Sequence, residues 1–316
     1  MRLTPAQLFT DVHPGPANGA AHWVATQDGK RVRLGHWLPE GAARGTVLLF
    51  PGRTEYIEKY GVVAGELTTR GHAVLTIDWR GQGLADRMLG DPRIGHVDRF
   101  PDYQKDVAAM VHAARELNLP RPFYLLAHSM GGAIALRAAM EGLAVQAAVF
   151  TGPMWGIRIS RHLRPIAWSM SQIMPLIGQG SRVPPGSKLE PYVLAEPFED
   201  NMLTTDEEMY DMMRDQIRAH PELALGGPSF VWLREALAET AHLERRPSPN
   251  LPTHVFLGSN ERIVQVSRIH DRMQRWKQGR LEVIDGGEHE VLMESREITR
   301  PLYDRIASFF EGHRNR

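Results

Sequence analysis

Leu125-Leu126-Ala127-His128-Ser129-Met130-Gly131-Gly132 is the stretch that decides the fold. An apolar run ends in a serine and continues without a linker into Ala133–Met140, a helical pattern. The segment therefore reads as a strand, a sharp turn and a helix. A serine on such a turn projects its oxygen above the sheet edge, and the helix N-terminus behind it offers backbone N–H groups to developing negative charge. Gly131 and Gly132 are small enough to let the turn close. The general pattern is G-x-S-x-G, and Ala127 takes its first position here.

Working outward, the same rhythm recurs. Thr46–Phe50, Ala73–Ile77, Phe123–Ala127 and Ala147–Phe150 are continuous apolar runs, as expected for parallel strands covered by helices on both faces. Helical patterns over Tyr56–Arg70 and Asp102–Asn118 separate them, Gly71 standing where the first would terminate. Upstream, Trp23–Thr26 and Val32–Leu38 flank Asp28-Gly29, a hairpin signal. After Pro153 the rhythm breaks into Met- and Trp-rich helical stretches, and it resumes with His254–Leu257, a helix over Val266–Lys277, a strand at Leu281–Ile284 and a last helix near Arg300–Phe310. Thr205, with Glu208 three residues on, reads as a capping box. The expected architecture is α/β: a mostly parallel sheet flanked by helices, with residues 1–152 and 246–316 as the core and 153–245 as an inserted helical lid.

Composition removes several classes of function. With 42% hydrophobic and 23% charged residues, the 316-residue chain is not disordered as a whole. Lys plus Arg and Asp plus Glu number 37 each, so no strong field exists to collect nucleic acid. The absence of cysteine excludes disulfides, thiolate metal sites and cysteine catalysis. The stretch up to Gly15 is broken by Pro5, Asp11 and Pro14 and lacks the apolar run of a signal peptide, and no segment approaches the ~18 apolar residues of a membrane span. A soluble cytoplasmic protein is the expectation. Arg158, Arg161 and Arg164 alternate with Ile157, Ile159 and Leu163 in the lid, a pattern compatible with transient contact at the inner membrane face and equally with a solvated helix face.

A serine at its ordinary pKa is a poor nucleophile and needs a histidine base oriented by a carboxylate, in chain order Ser, acid, His. His289 lies in a glycine-rich loop directly after the last predicted strand. Glu261 follows the His254–Leu257 strand, where the acid belongs, and Asp285 stays open as the alternative. The oxyanion hole would combine the N–H of Met130 with that of Arg53, because Pro51 at the end of Thr46–Phe50 has none. Glu55, Trp155, Met170 and Phe198 are the substrate-contact candidates, on the view that the Trp- and Met-rich lid lines an apolar pocket. No cofactor or metal is implied: Gly81-Gln82-Gly83-Leu84-Ala85-Asp86 lacks the third glycine of a dinucleotide fingerprint, and His289-Glu290 lacks the second histidine of a zinc motif.

Five blocks carry a family resemblance: Pro51-Gly52-Arg53-Thr54-Glu55-Tyr56 with Lys59-Tyr60; Asp78-Trp79-Arg80-Gly81-Gln82-Gly83; His96-Val97 with Phe100 and Tyr103; His128-Ser129-Met130-Gly131-Gly132; and His289-Glu290 followed by Glu294. Over nearly its whole length the chain resembles the α/β-hydrolases, in particular the bacterial lysophospholipases related to monoacylglycerol lipases and to serine aminopeptidase-type hydrolases. Pro51-Gly52, where monoacylglycerol lipases usually show His-Gly, pulls the resemblance toward the lysophospholipases. It departs from the family at Ala127 and at Glu261, where many relatives have aspartate. The resemblance implies a serine esterase of lipid metabolism, releasing a fatty acid from single-chain phospholipids through an acyl-enzyme. A monoacylglycerol lipase or general esterase, an aminopeptidase with Glu196, Glu199 or Asp200 holding the substrate amine, and a non-catalytic binding protein remain as alternatives.

Overall fold

Continuous apolar runs become strands buried on both faces. In the computed structural model, which describes residues 2–160 and 162–314, the strands are β1 (Thr4–Ala6), β2 (Ala20–Ala25), β3 (Arg31–Trp37), β4 (Thr46–Phe50), β5 (Ala73–Asp78), β6 (Phe123–His128), β7 (Ala148–Thr151), β8 (Thr253–Gly258) and β9 (Gly279–Ile284). They form one sheet in the order β1-β2-β3-β5-β4-β6-β7-β8-β9. The pairs from β1 to β3, and β3 with β5, are antiparallel; every pair from β5 to β9 is parallel.

Successive side chains of a strand point to opposite faces, so each strand feeds two cores. Leu48 and Phe50 of β4 join one apolar cluster with helices α2 (Tyr103–Glu116) and α3 (Ser129–Met140). Val47 and Leu49 join another, which includes α1 (Gly61–Thr69) and the C-terminal helix Arg296–Glu311. The chain leaves β4 in one direction toward β5 and returns on the other side to β6, so the carboxyl ends of β4 and β6 meet at the point where strand order reverses. That is where open α/β sheets bind ligands.

Between β7 and β8 the chain forms α4 (Arg164–Leu176), α5 (Tyr192–Ala195), α6 (Glu207–Ala219) and α7 (Phe230–Arg245), followed after β8 by α8 (Val266–Met273) and then α9 (Arg296–Glu311). The inserted segment shares the core: Trp232, Ala236 and Leu243 of α7 pack in the same cluster as α3, and Arg137 of α3 pairs with Glu239 at 2.8 Å.

Local expectations need four corrections. Tyr56–Arg70 opens as a tighter 3-10 turn at Ile57–Tyr60 before α1 begins. Helix α6 is capped by Asp206, whose Oδ1 accepts the Met209 N–H at 2.9 Å. Thr205 is diverted, its hydroxyl donating to Glu294 at 2.6 Å, and Glu208 is exposed. Helix α8 stops at Met273, whereas α9 starts four residues earlier than expected and runs through Pro301.

Candidate active site

Ser129 opens α3 directly from the end of β6, with its backbone at a φ of 49°. Such a left-handed conformation costs a non-glycine residue of order 1–3 kcal/mol and persists only where the surroundings impose it. Here they do. A Cβ on Gly131 would overlap the carbonyl oxygens of Phe50 and Pro51, so the helix start is pressed against the end of β4. Ala127 lies in regular strand, paired with Phe50 and Phe150, without a left-handed backbone, which is why the position tolerates a side chain.

His289 lies in the loop after β9 and Glu261 in the loop after β8. His289 Nδ1 is 2.6 Å from Glu261 Oε2, and both residues are buried. The other carboxylate oxygen of Glu261 accepts the N–H groups of Ile263 and Val264 at 2.6 and 3.0 Å. Burial pushes the Glu261 carboxyl up, but His289 and the two backbone donors outweigh it and hold the group below its usual value. Gly152 makes room for the pair: its φ is +47°, and a Cβ there would stand 3.0 Å from His289 Nδ1 and 3.1 Å from Glu261 Oε2. Asp285, the alternative acid, is exposed.

Ser129 and His289 line one cavity of about 560 Å³, whose wall includes Arg53 and the apolar residues Met154, Met213, Leu225, Trp232 and Ile263. Met130, next to Ser129, is fully buried at the start of α3. Of the four substrate-contact candidates only Glu55 reaches this cavity. Trp155 faces the core, where its indole N–H donates to the Gly132 carbonyl at 3.1 Å and its ring stacks on Trp276. Met170 lies on α4 away from the cavity wall. Phe198 packs on Tyr210 and borders a separate polar groove with Arg262.

Glu55 is committed elsewhere than to a substrate. Its carboxylate accepts the Gly52 N–H and the Tyr60 hydroxyl, and Lys59 Nζ lies 2.5 Å from it. The same ammonium is 2.6 Å from Glu290, and His128 Nε2 is 3.3 Å from Glu290 and 3.8 Å from Glu55. Glu55, His128 and Glu290 have the spacing of a metal cage, but the Lys59 ammonium stands between the two carboxylates and supplies the positive charge. This buried quartet ties the loop after β4 to the serine turn and to the residue after His289. The ring of His128 also packs at 4.7 Å from that of His289. Two further residues hold the loop: Trp79 donates to the Pro51 carbonyl at 3.0 Å, and Gln82 to those of Gly52 and Glu55 at 2.8 and 3.1 Å. The block that looked like half a dinucleotide fingerprint thus buttresses the loop after β4.

His128 carries a pH dependence with it. Burial alone would lower its pKa, while Glu290 and Glu55 raise it, for a net value above 6.5. Raised in the folded state, it contributes stability that is complete below about pH 6.5 and is lost as pH climbs through the folded value. Thermal melts of wild type and His128→Asn should therefore converge as pH rises above neutrality. A gap in Tm that stays constant from pH 6 to 9 would show that His128 is not charged in the folded protein.

The comparisons with known proteins agree on an α/β-hydrolase fold. Residues 41–296 match the family model described as serine aminopeptidase, S33. Lysophospholipase L2 of Escherichia coli (strain K12) is 33% identical over 279 residues, covering 84% of this chain and 80% of that protein. Probable lysophospholipase L2 of Haemophilus influenzae is 30% identical, covering 86% and 85% respectively. Among solved structures, a soluble variant of monoglyceride lipase from Saccharomyces cerevisiae with a substrate analog superposes with a TM-score of 0.73 at 17% identity, covering 99% of this chain and 100% of that one. A sheet of this topology, a serine on a strained strand-to-helix turn and a matched span of this length lead to one conclusion: the chain belongs to the serine aminopeptidase S33 family of α/β-hydrolases.

Proposed function

We propose that the protein is a carboxylic-ester hydrolase that releases the fatty acid from single-chain phospholipids. The observation that carries this reading is that His289, backed by Glu261, shares one largely apolar cavity with Ser129. Ser129 Oγ attacks the acyl carbonyl, His289 takes its proton and returns it to the departing glycerol oxygen, and Glu261 fixes the His289 tautomer. The N–H groups of Arg53 and Met130 hold the oxyanion. Water, activated by the same histidine, then cleaves the acyl-enzyme. The relatives named lysophospholipase L2, at 30 and 33% identity, favour a phospholipid over the monoacylglycerol lipase of Mycolicibacterium smegmatis at 24%.

The aminopeptidase reading needs an unpaired acid in the cavity to bind an amine. Of the acids named for that role, Glu196 lines the cavity but pairs with Lys188 at 2.6 Å, Asp200 pairs outside it with Arg262 at 2.9 Å, and Glu199 borders only the second groove; Glu190, an exposed acid, also lines the cavity and has no ion pair among the described residues. A panel of lysophosphatidylcholine, monoacylglycerol, a short aryl ester and an aminoacyl anilide separates the cases. The expected order puts the lysolipid first and the anilide last. Release from the anilide alone would move the protein to the peptidases, and ligand binding without any release would make it a binding protein.

The substrate resides in membranes, and the segment between β7 and β8 is suited to meet one as a lid. No helix among the described residues is long and apolar enough to cross a membrane. Among the described residues, six of the nine exposed large apolar side chains cluster in it: Leu163, Ile166, Trp168, Ile173, Leu176 and Ile177. Arg158 and Arg164 flank them, exposed; Arg161 lies outside the described residues. Burying one such side chain is worth about 1.5–3 kcal/mol. Replacing Leu176 and Ile177 together by glutamate should lower partitioning onto anionic vesicles by tenfold or more, on the order of that energy. Unchanged sedimentation with vesicles would remove the lid from any docking role.

A further inference from the structure

Among the described residues, the arginine and lysine side chains that line the cavity are Arg53, Lys59 and Lys188. Two are neutralised, Lys59 by Glu55 and Glu290 and Lys188 by Glu196. Arg53 differs. Among the described residues it forms no ion pair with a carboxylate; its Nη2 donates to the Gly226 carbonyl at 2.5 Å, its guanidinium lies 5.2 Å from the Trp232 ring, and its buried Nε has no hydrogen-bond partner. A guanidinium has five N–H donors, so this one retains unused capacity.

Arginines without a carboxylate are not all alike in this protein. Arg87 spends its guanidinium on four backbone carbonyls, those of Gly81, Gly83, Glu222 and Ala224, at 2.7 to 3.2 Å, as a structural strut does. Arg53 makes one such bond and faces the substrate cavity. Burial lowers its pKa to about 10, which leaves it charged at neutral pH. A desolvated cation without a counter-ion is costly, and an anionic ligand that accepts its hydrogen bonds removes the cost.

We propose that the Arg53 guanidinium is the subsite for the phosphate of the substrate headgroup, and that it makes the enzyme select single-chain phospholipids over neutral monoacylglycerols. This rests on the ester-hydrolase reading above and adds to it the group that recognises the anion. The chemistry of the substrate fits the placement. The main chain of Arg53 is the proposed oxyanion donor, so the cation is tethered one side-chain length from the reacting carbonyl. In a single-chain glycerophospholipid the phosphate stands one glycerol unit from the ester. A monoacylglycerol offers a neutral hydroxyl there and leaves the guanidinium unpaired.

The test compares kcat/KM for lysophosphatidylcholine and for monoacylglycerol of the same acyl chain, in wild type, Arg53→Lys and Arg53→Met. Charge-assisted hydrogen bonds of this kind correspond to a fall in the lysolipid-to-monoacylglycerol ratio of roughly 10- to 100-fold in Arg53→Met. Arg53→Lys should retain part of the ratio, because it keeps the charge but not the fork. An equal loss on both substrates would mean that Arg53 merely braces the loop against Gly226, and the assignment would fall. A second measurement needs no turnover. A 1-O-alkyl lysophosphatidylcholine and the matching 1-O-alkyl glycerol, both below their micelle concentrations, are titrated into wild type with Trp fluorescence as the signal. Tighter binding of the phosphate compound, weakening with salt, supports the assignment; equal binding of the two overturns it. If wild type hydrolyses neither ester, the ester-hydrolase reading fails, and the binding comparison, run on Arg53→Met beside wild type, still decides the role of Arg53.

Discussion

Replacing Ser129 by alanine is expected to lower kcat for ester hydrolysis by roughly 10⁴- to 10⁶-fold, the range seen when the nucleophile of a serine triad is removed. The replacement deletes one oxygen from a residue whose strained backbone is imposed by its surroundings, so the turn should survive it. Alanine avoids the left-handed region no less than serine does, and Tm should move by little. Lipid binding should also persist, because the apolar wall of the cavity is untouched. Loss of turnover with retained binding is the signature of a missing nucleophile. Residual hydrolysis above the uncatalysed rate would come from the oxyanion donors and from substrate positioning. Serine-independent turnover at the wild-type rate would show that the reaction takes place elsewhere.

Glu261→Gln should cost roughly 10⁴-fold in kcat, comparable to neutralising a triad acid in other serine hydrolases. The hydrogen bonds around Glu261 explain why an isostere fails. One carboxylate oxygen accepts from Ile263 and Val264 N–H and the other faces His289 Nδ1. A glutamine must keep its carbonyl oxygen on the two backbone donors and turn its NH₂ toward His289. That forces the proton onto Nε2, the nitrogen that has to receive one from serine. The imidazolium formed during the reaction also loses its counter-charge. Glu261→Asp keeps the charge but shortens the reach by one methylene and should fall between the two. Asp285→Asn is the control: an exposed carboxylate should change kcat by less than about twofold. If Asp285→Asn were the damaging change, the acid would have been misassigned.

What could be read from the chain alone divides along physical lines. Strands β4 and β6 were legible because burial on both faces demands unbroken apolar runs, and the serine turn because strand, serine and glycine-rich helix start are contiguous. That Glu261 and His289 meet was legible from their places after successive strands. The Glu55, Lys59, His128 and Glu290 quartet was not, since its ion pairs join residues up to 231 positions apart and nothing local marks them. Family blocks pointed at all four without saying that they touch. Trp155 and Met170 show the opposite failure: aromatic and methionine content cannot distinguish a cavity wall from core or from a half-buried helix position off the cavity. Strand β1, three residues long with Pro5 inside it, carries no periodic signal and sits at the sheet edge, where a missing N–H is tolerated.

The most direct test is covalent. A fluorophosphonate probe reacts with a serine only where a base activates it and an oxyanion hole receives the phosphonyl oxygen, so labelling reads the whole constellation in one step. Intact mass and peptide mapping should show one adduct per chain, on Ser129, absent in Ser129→Ala and formed far more slowly in Glu261→Gln. A wild-type protein that hydrolyses esters yet carries the adduct on another residue, or carries none, would contradict the assignment of Ser129, His289 and Glu261 as the reacting centre.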